Sequence, residues 1–150
     1  MPEFAAPSDM TFNRGAIADP AAFARDAGAA SWLFLCGDEF AAMDGGMSYA
    51  QVQDAVPVSE NVVSDPPRDF DLDLVRQNLD ALDRLLRPTL VTCRTGPRSS
   101  AIVYLYAGLQ AGATADEVLA RADADSAPFA KVEEYRALVA RGLDELANDD

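Results

Sequence analysis

The chain has 150 residues, 49% of them hydrophobic, enough for one domain with a sizeable core and too apolar for disorder beyond the ends. Twenty-five acidic residues against twelve basic ones give a formal net charge of −13, with no histidine and a single lysine, Lys131, among eleven arginines. A surface of that sign repels nucleic acid and anionic membranes, so neither is an expected partner.

Two cysteines do not make a disulfide framework, and without histidine or clustered thiols no zinc site can be assembled. Neither a metal nor a cofactor is expected. Residues 1–8 lack the basic start and apolar centre of a secretory signal, and no apolar run is long enough to span a bilayer. A cytoplasmic location is therefore expected.

Residues 1–9 are expected to form a mobile lead-in, followed by a short strand and turn over Thr11–Gly15. Asp19 and Pro20 supply an N-cap and a first-turn proline for a helix over Ala21–Ala27, which Gly28 ends. Ser31–Cys36 is a continuous apolar run, as expected of a strand buried on both faces of a parallel sheet. Gly37–Phe40 lead away from it, and Gly45-Gly46 mark a flexible segment. Asp54–Val58 reads as a weaker strand, which Pro57 confines to an edge or a strand end.

Ser59–Asp71, with Pro66-Pro67, is expected to be a loop. From Asp71 to Leu86 the apolar residues recur close to every 3.6 positions, predicting a long amphipathic helix that Pro88 stops. Thr89–Thr92 is a strand delivering Cys93. Helices follow over Arg98–Gln110, from Ala113 with Thr114 and Glu117 spaced as a capping box, and over roughly Phe129–Leu146. This order predicts an α/β fold in a single domain: a central parallel sheet flanked by helices, with a helical C-terminus. Ligands of such sheets sit beyond the carboxyl ends of the strands, where Cys93 falls.

The stretch Cys93-Arg94-Thr95-Gly96-Pro97-Arg98-Ser99-Ser100 joins that strand to the next helix. Backbone N–H groups at a helix start, with the positive end of its dipole, form an anion site. A cysteine there has its thiolate stabilised, and Arg94 and Arg98 add positive charge, which suits a nucleophile for an oxyanion-bearing substrate. The alternative is a buried strand cysteine followed by an ordinary turn. Cys36 also ends an apolar strand. If the two strands are neighbours, a disulfide becomes possible once the Cα atoms come within about 7 Å. Cys36 is thus either a redox partner of Cys93 or a small core residue.

The loop resembles the signatures of two groups of cysteine enzymes. One is the protein tyrosine and dual-specificity phosphatases, with a cysteine, five residues, an arginine, then serine or threonine. The other is the rhodanese sulfurtransferases, whose loop often reads Cys-Arg-x-Gly-x-Arg or Thr. It is most similar to the bacterial beta-lactamase-hydrolase-like protein phosphatase-like domain, which carries Cys-Arg-Ser/Thr-Gly-x-Arg-Ser on a cysteine phosphatase-like fold; the likeness runs from about Phe12 to Ala122. There are departures: Arg98 falls five positions after Cys93, Ser99 occupies the dual-specificity arginine position, Thr92 replaces the usual histidine, and Pro97 brings no N–H. A shorter loop favours persulfide chemistry. Against that, the Gly-His-Ile-Pro-Gly-Ala-like segment of rhodaneses is absent, the chain ends in helices, and Val56–Asn61 resembles the strand and loop that bring the dual-specificity general acid.

The resemblance implies hydrolysis of phosphomonoesters through a cysteinyl-phosphate, on a phosphorylated small molecule or protein. The alternatives are a rhodanese-like sulfurtransferase carrying a persulfide on Cys93 from a sulfur-bearing substrate, and a non-catalytic anion-binding module. On the phosphatase reading Cys93 attacks phosphorus, Arg98 and the loop N–H groups stabilise the equatorial oxygens, and Ser99 or Ser100 hydrogen-bonds the thiolate. Arg94, Thr95, Gly96, Pro97 and Ser100 then complete the substrate cradle. Protonating the leaving group needs a loop carboxyl. Asp65 is the first candidate and Glu60 the alternative; Asp69, Asp71 and Asp73 suit a helix start instead. Glu39 resembles an acidic position of the bacterial domain and suits a surface or capping role.

Overall fold

The computed structural model describes residue 4, residues 7–66 and residues 68–147. Strands β1 (Met10–Phe12), β2 (Ser31–Phe34), β3 (Val58–Asn61) and β4 (Thr89–Thr92) form one sheet in the order β1-β4-β2-β3, with every neighbouring pair parallel. Strands β2 and β4 are buried along their whole length, so neither alternates between apolar and charged residues, and the buried hydroxyls of Thr89 and Thr92 accept from Ser31 and Trp32.

Helices cover both faces. On one side lie α1 (Pro20–Ala27) and α3 (Tyr49–Ala55), packed over Trp32, Phe34, Cys36 and Leu90. On the other lie α4 (Leu72–Arg84), α5 (Pro97–Ala111), α6 (Ala115–Ala124) and α7 (Glu133–Leu146), around Leu33, Leu35, Val91 and Cys93. Helix α5 is buried over most of its circumference, so its sequence is apolar all round.

Local chemistry accounts for most boundaries. Asp19 caps α1 by accepting from Ala22 N–H, and Gly28 closes it in the left-handed conformation. Thr114 and Glu117 form the expected capping box of α6.

Elsewhere the expectations need correcting. Of the strand expected over Asp54–Val58 only Val58 is in one: Tyr49–Ala55 are helix α3, opened by a second capping box of Ser48 and Gln51, and β3 runs from Val58 to Asn61, into the stretch expected to be loop. Asp38–Ala41 make a one-turn helix, α2. The Gly45-Gly46 segment is a tight turn in which a Cβ on Gly46 would lie 1.7 Å from the Phe40 carbonyl oxygen. The helix expected over roughly Phe129–Leu146 is preceded by a 3-10 turn at Pro128–Lys131, and α7 itself starts at Glu133. Phe4, within the expected mobile lead-in, is buried with its ring 6.4 Å from that of Tyr104; residues 1–3, 5 and 6 of that lead-in lie outside the described residues. Among the described residues, no helix is long and apolar enough to cross a membrane.

Candidate active site

Cys93 follows β4 directly, at the carboxyl edge of the sheet, and is 4% exposed. The chain then turns through Gly96, whose φ of 118° only glycine adopts readily, into α5 with Pro97 in its first turn. The turn wraps backbone donors around the sulfur: Gly96 N–H lies 3.1 Å and Ser99 N–H 3.3 Å from Cys93 Sγ. Ser99 Oγ stands 3.4 Å from the same sulfur. Two N–H groups and a helix dipole converging on one sulfur favour negative charge there. Thr92, in place of the histidine of the resembling phosphatases, spends its hydroxyl on Trp32, whose Nε1–H donates at 2.8 Å.

A pocket of about 140 Å³ opens over Cys93, walled by Asp65, Arg94, Thr95, Pro97, Arg98 and Tyr135. Both arginines reach across it to residues between Ser64 and Arg68. Arg94 Nε donates to Asp65 Oδ2 at 2.8 Å, and its Nη2 donates to the Pro66 carbonyl at 2.7 Å. Arg98 Nε donates to the Tyr135 hydroxyl at 2.8 Å, while Nη1 reaches the carbonyls of Ser64 and Arg68. Its guanidinium also lies over the rings of Phe70, at 5.2 Å, and Tyr135, at 5.8 Å.

Asp65 is the hub of this arrangement. Its side chain is 1% exposed, and beside Arg94 it accepts from Arg68 Nη1 at 2.8 Å and Gly37 N–H at 3.0 Å. Arg68 in turn pairs with Glu39 at 3.0 Å. Backbone and Arg68 hydrogen bonds hold the Glu39 carboxyl below the usual carboxylate range.

The expected site residues therefore separate into two groups. Cys93, Arg94, Thr95, Gly96, Pro97, Arg98, Ser99 and Asp65 come together. Three others do not. Glu60, on β3, is bound to Arg84 at 2.7 Å and 3.1 Å, away from the pocket. Ser100 points into the helix packing: its hydroxyl donates to Pro97 O at 3.2 Å and accepts from Phe129 N–H at 3.1 Å.

Cys36 is the third. Strands β2 and β4 are neighbours, with Phe34 opposite Thr92, but side chains alternate between faces. Cys93 joins the core on the α5 side and Cys36 the core on the α1 side, and both thiols are free. A Cys36–Cys93 bridge would need the sheet to reverse one side chain. Burial pushes the Cys36 thiol up, and the nearby Asp65 charge adds to that.

Sequence reasoning missed Asn13, Gly37, Arg68 and Tyr135. Each reaches the site only through the sheet order, a loop or, for Tyr135, the packing of α7, with no local signal, although Asn13 follows a strand at the edge where ligands sit.

The sequence matches no protein-family profile, and no curated protein matches it either. Solved structures do match over nearly the whole length. The Tk-PTP structure in its active form is 17% identical and superposes with a TM-score of 0.66, over 97% of this chain and 99% of that one. The core catalytic domain of the PP-IP phosphatase Siw14 from S. cerevisiae, in complex with citrate, is 15% identical with a TM-score of 0.62, over 99% of this chain and 88% of its own. A Neisseria meningitidis protein provisionally described as a phosphatase is 18% identical with a TM-score of 0.68, over 95% and 99%. At such identities the likeness shows the fold, which is that of the cysteine phosphatases.

Proposed function

We propose that this chain is a cysteine-dependent phosphatase that hydrolyses phosphomonoesters through a cysteinyl-phosphate on Cys93. The observation that carries the reading is the sulfur itself, at the start of α5, faced by Gly96 N–H, Ser99 N–H and Ser99 Oγ on the floor of a pocket flanked by two guanidinium groups. The thiolate attacks phosphorus, the ester P–O bond breaks, and the leaving oxygen takes a proton. The loop N–H groups and the arginines stabilise the charge spread over the equatorial oxygens.

Asp65 supplies the carboxyl. Among the described residues it is the one acid lining the pocket. It is held there by Arg94 and Arg68, so a phosphate dianion that draws Arg94 to itself frees one Asp65 oxygen, which takes the proton Cys93 gives up on forming the thiolate and hands it to the leaving oxygen. In the second step the same carboxylate takes a proton from the attacking water. The pocket arginines also answer how a chain of charge −13 can accept an anion, since the local field at the cysteine opposes the overall one. The substrate class this supports is a phosphorylated small molecule or protein side chain.

Intact mass of the acid-quenched protein after exposure to para-nitrophenyl phosphate tests the reading. A phosphoryl adduct on Cys93, absent in Cys93→Ser, is the expected result. A sulfane sulfur on Cys93 after thiosulfate, with no phosphoryl adduct, would replace phosphatase by sulfur transfer. No adduct with either reagent would leave an anion-binding module.

A further inference from the structure

Asn13 lies one residue beyond the end of β1. Because Phe12 is in register with Val91, the parallel pairing brings Asn13 level with the end of β4, where the nucleophile begins. It is 1% exposed, and its amide is saturated. Nδ2 donates to Cys93 O at 2.9 Å and to Gly15 O at 2.9 Å. Oδ1 accepts Cys93 N–H at 3.1 Å and the Ser99 hydroxyl at 2.9 Å. Two donors and two acceptor sites are all that an amide side chain has. The partners also fix its orientation, since the flipped amide would set donor against Cys93 N–H and acceptor against Cys93 O.

We infer that Asn13 is a positioning residue for catalysis: it holds the main chain of Cys93 from both sides and sets the direction in which the Ser99 hydroxyl points. The catalytic part of this inference rests on the phosphatase reading. With Cys93 as a thiol, Ser99 Oγ accepts from the sulfur and sends its own proton to Asn13 Oδ1 or to Gly96 O, 3.1 Å away. When the cysteinyl-phosphate is hydrolysed, the water oxygen bonds to phosphorus and the water's proton goes to Asp65. The P–S bond breaks and its electron pair returns to Sγ. The Ser99 O–H then turns from Asn13 to the sulfur and donates a hydrogen bond without giving up its proton. A neutral amide suits this pivot, because it neither titrates nor places a charge beside the thiolate.

The test is a double-mutant cycle with Asn13→Ala, Ser99→Ala and the double variant. It is read with para-nitrophenyl phosphate, whose leaving group departs readily enough that breakdown of the intermediate limits turnover. Each single change should lower kcat and KM together by about tenfold, leaving kcat/KM unchanged, and the double variant should be no slower than the slower single, as expected of groups acting as a unit. The fraction of enzyme trapped as cysteinyl-phosphate should rise in both singles. Losses that multiply in the double variant, with no rise in trapped intermediate, would reduce Asn13 to a structural role and overturn the inference. If Asn13→Ala fails to fold, Asn13→Ser takes its place in the cycle under the same criteria, since it is neutral and too short to keep the contacts with Cys93 and Ser99. If the wild-type protein turns over no phosphomonoester, the phosphatase reading fails by itself, and positioning is then judged by alkylation of Cys93 with iodoacetamide. A rate about tenfold lower in the neutral Asn13→Ser at an unchanged melting temperature upholds the holding role; an equal rate overturns it.

Discussion

Replacing Asp65 with asparagine removes one charge from the most connected side chain of the site and nearly nothing of its shape. The amide oxygen can keep Gly37 N–H and Arg68, but the amide nitrogen then faces Arg94 Nε, donor against donor, where 2.8 Å now separates an ion pair. Two charge-assisted hydrogen bonds are lost or weakened, each worth about 1.5–3 kcal/mol. Asp65 is fully buried, whereas Arg94 is 22% and Arg68 35% exposed, so water screens part of the loss at the arginine ends. A net cost of about 3 kcal/mol follows, below the cost of stranding a wholly buried partner. For a chain of this length that lowers the melting temperature by roughly 6–12 °C.

The activity arm separates Asp65's two roles. An amide cannot protonate a leaving group, so turnover of an alkyl phosphate should fall about a hundredfold or more, while para-nitrophenyl phosphate is spared. A melting temperature within about 1 °C of wild type would refute the anchoring role on this scale. An equal loss on both substrates would refute the proton-donor role.

Three further outcomes are expected. Arg98→Lys keeps the charge but loses the fork that joins Tyr135 to the carbonyls of Ser64 and Arg68. Turnover should fall far more than KM rises, and an unimpaired Arg98→Lys beside a crippled Arg94→Ala would assign the oxyanion to Arg94 instead. Gly96→Ala forces an L-residue to a φ of 118° and sets its Cβ 2.3 Å from the Asn13 carbonyl oxygen. It should cost at least about 1–3 kcal/mol in denaturant melts and slow Cys93 alkylation, and wild-type values for both would show that the loop does not need this turn. The raised Cys36 thiol predicts an alkaline limb of stability. Below the free-thiol value of about 8.5 both states keep the proton, and above it the unfolded chain alone releases it, so stability falls as pH rises. Cys36→Ala should flatten that fall; an identical slope would place its origin elsewhere.

Much of the fold was legible because it is set locally. Asp19 and Gly28 bound α1, Thr114 and Glu117 start α6, and the run from Ser31 to Cys36 announces β2 by being apolar on both faces. The nucleophile loop was legible for the same reason, since Cys93, Gly96 and Ser99 act on one another across no more than six positions through a strand end, a positive-φ turn and a helix start. Helix α3 escaped attention although Ser48 and Gln51 carried its signal, because Asp54–Val58 read as a strand and so took in the helix end at Asp54-Ala55, whereas β3 starts only at Val58.

What only the tertiary structure decided is who meets whom. The sheet order places β1 against β4, and so Asn13 against Cys93 across eighty positions. Side-chain alternation sends Cys36 and Cys93 to opposite faces, although both end neighbouring parallel strands. The choice between Asp65 and Glu60 was likewise out of reach of spacing. Both sit near one loop, but Glu60 finds Arg84 on α4, whereas Asp65 is drawn between Arg68 and Arg94. Chain-local rules specify elements through hydrogen bonds a few residues apart; the partners of a buried carboxylate are set by which loops the packed sheet brings to its carboxyl edge.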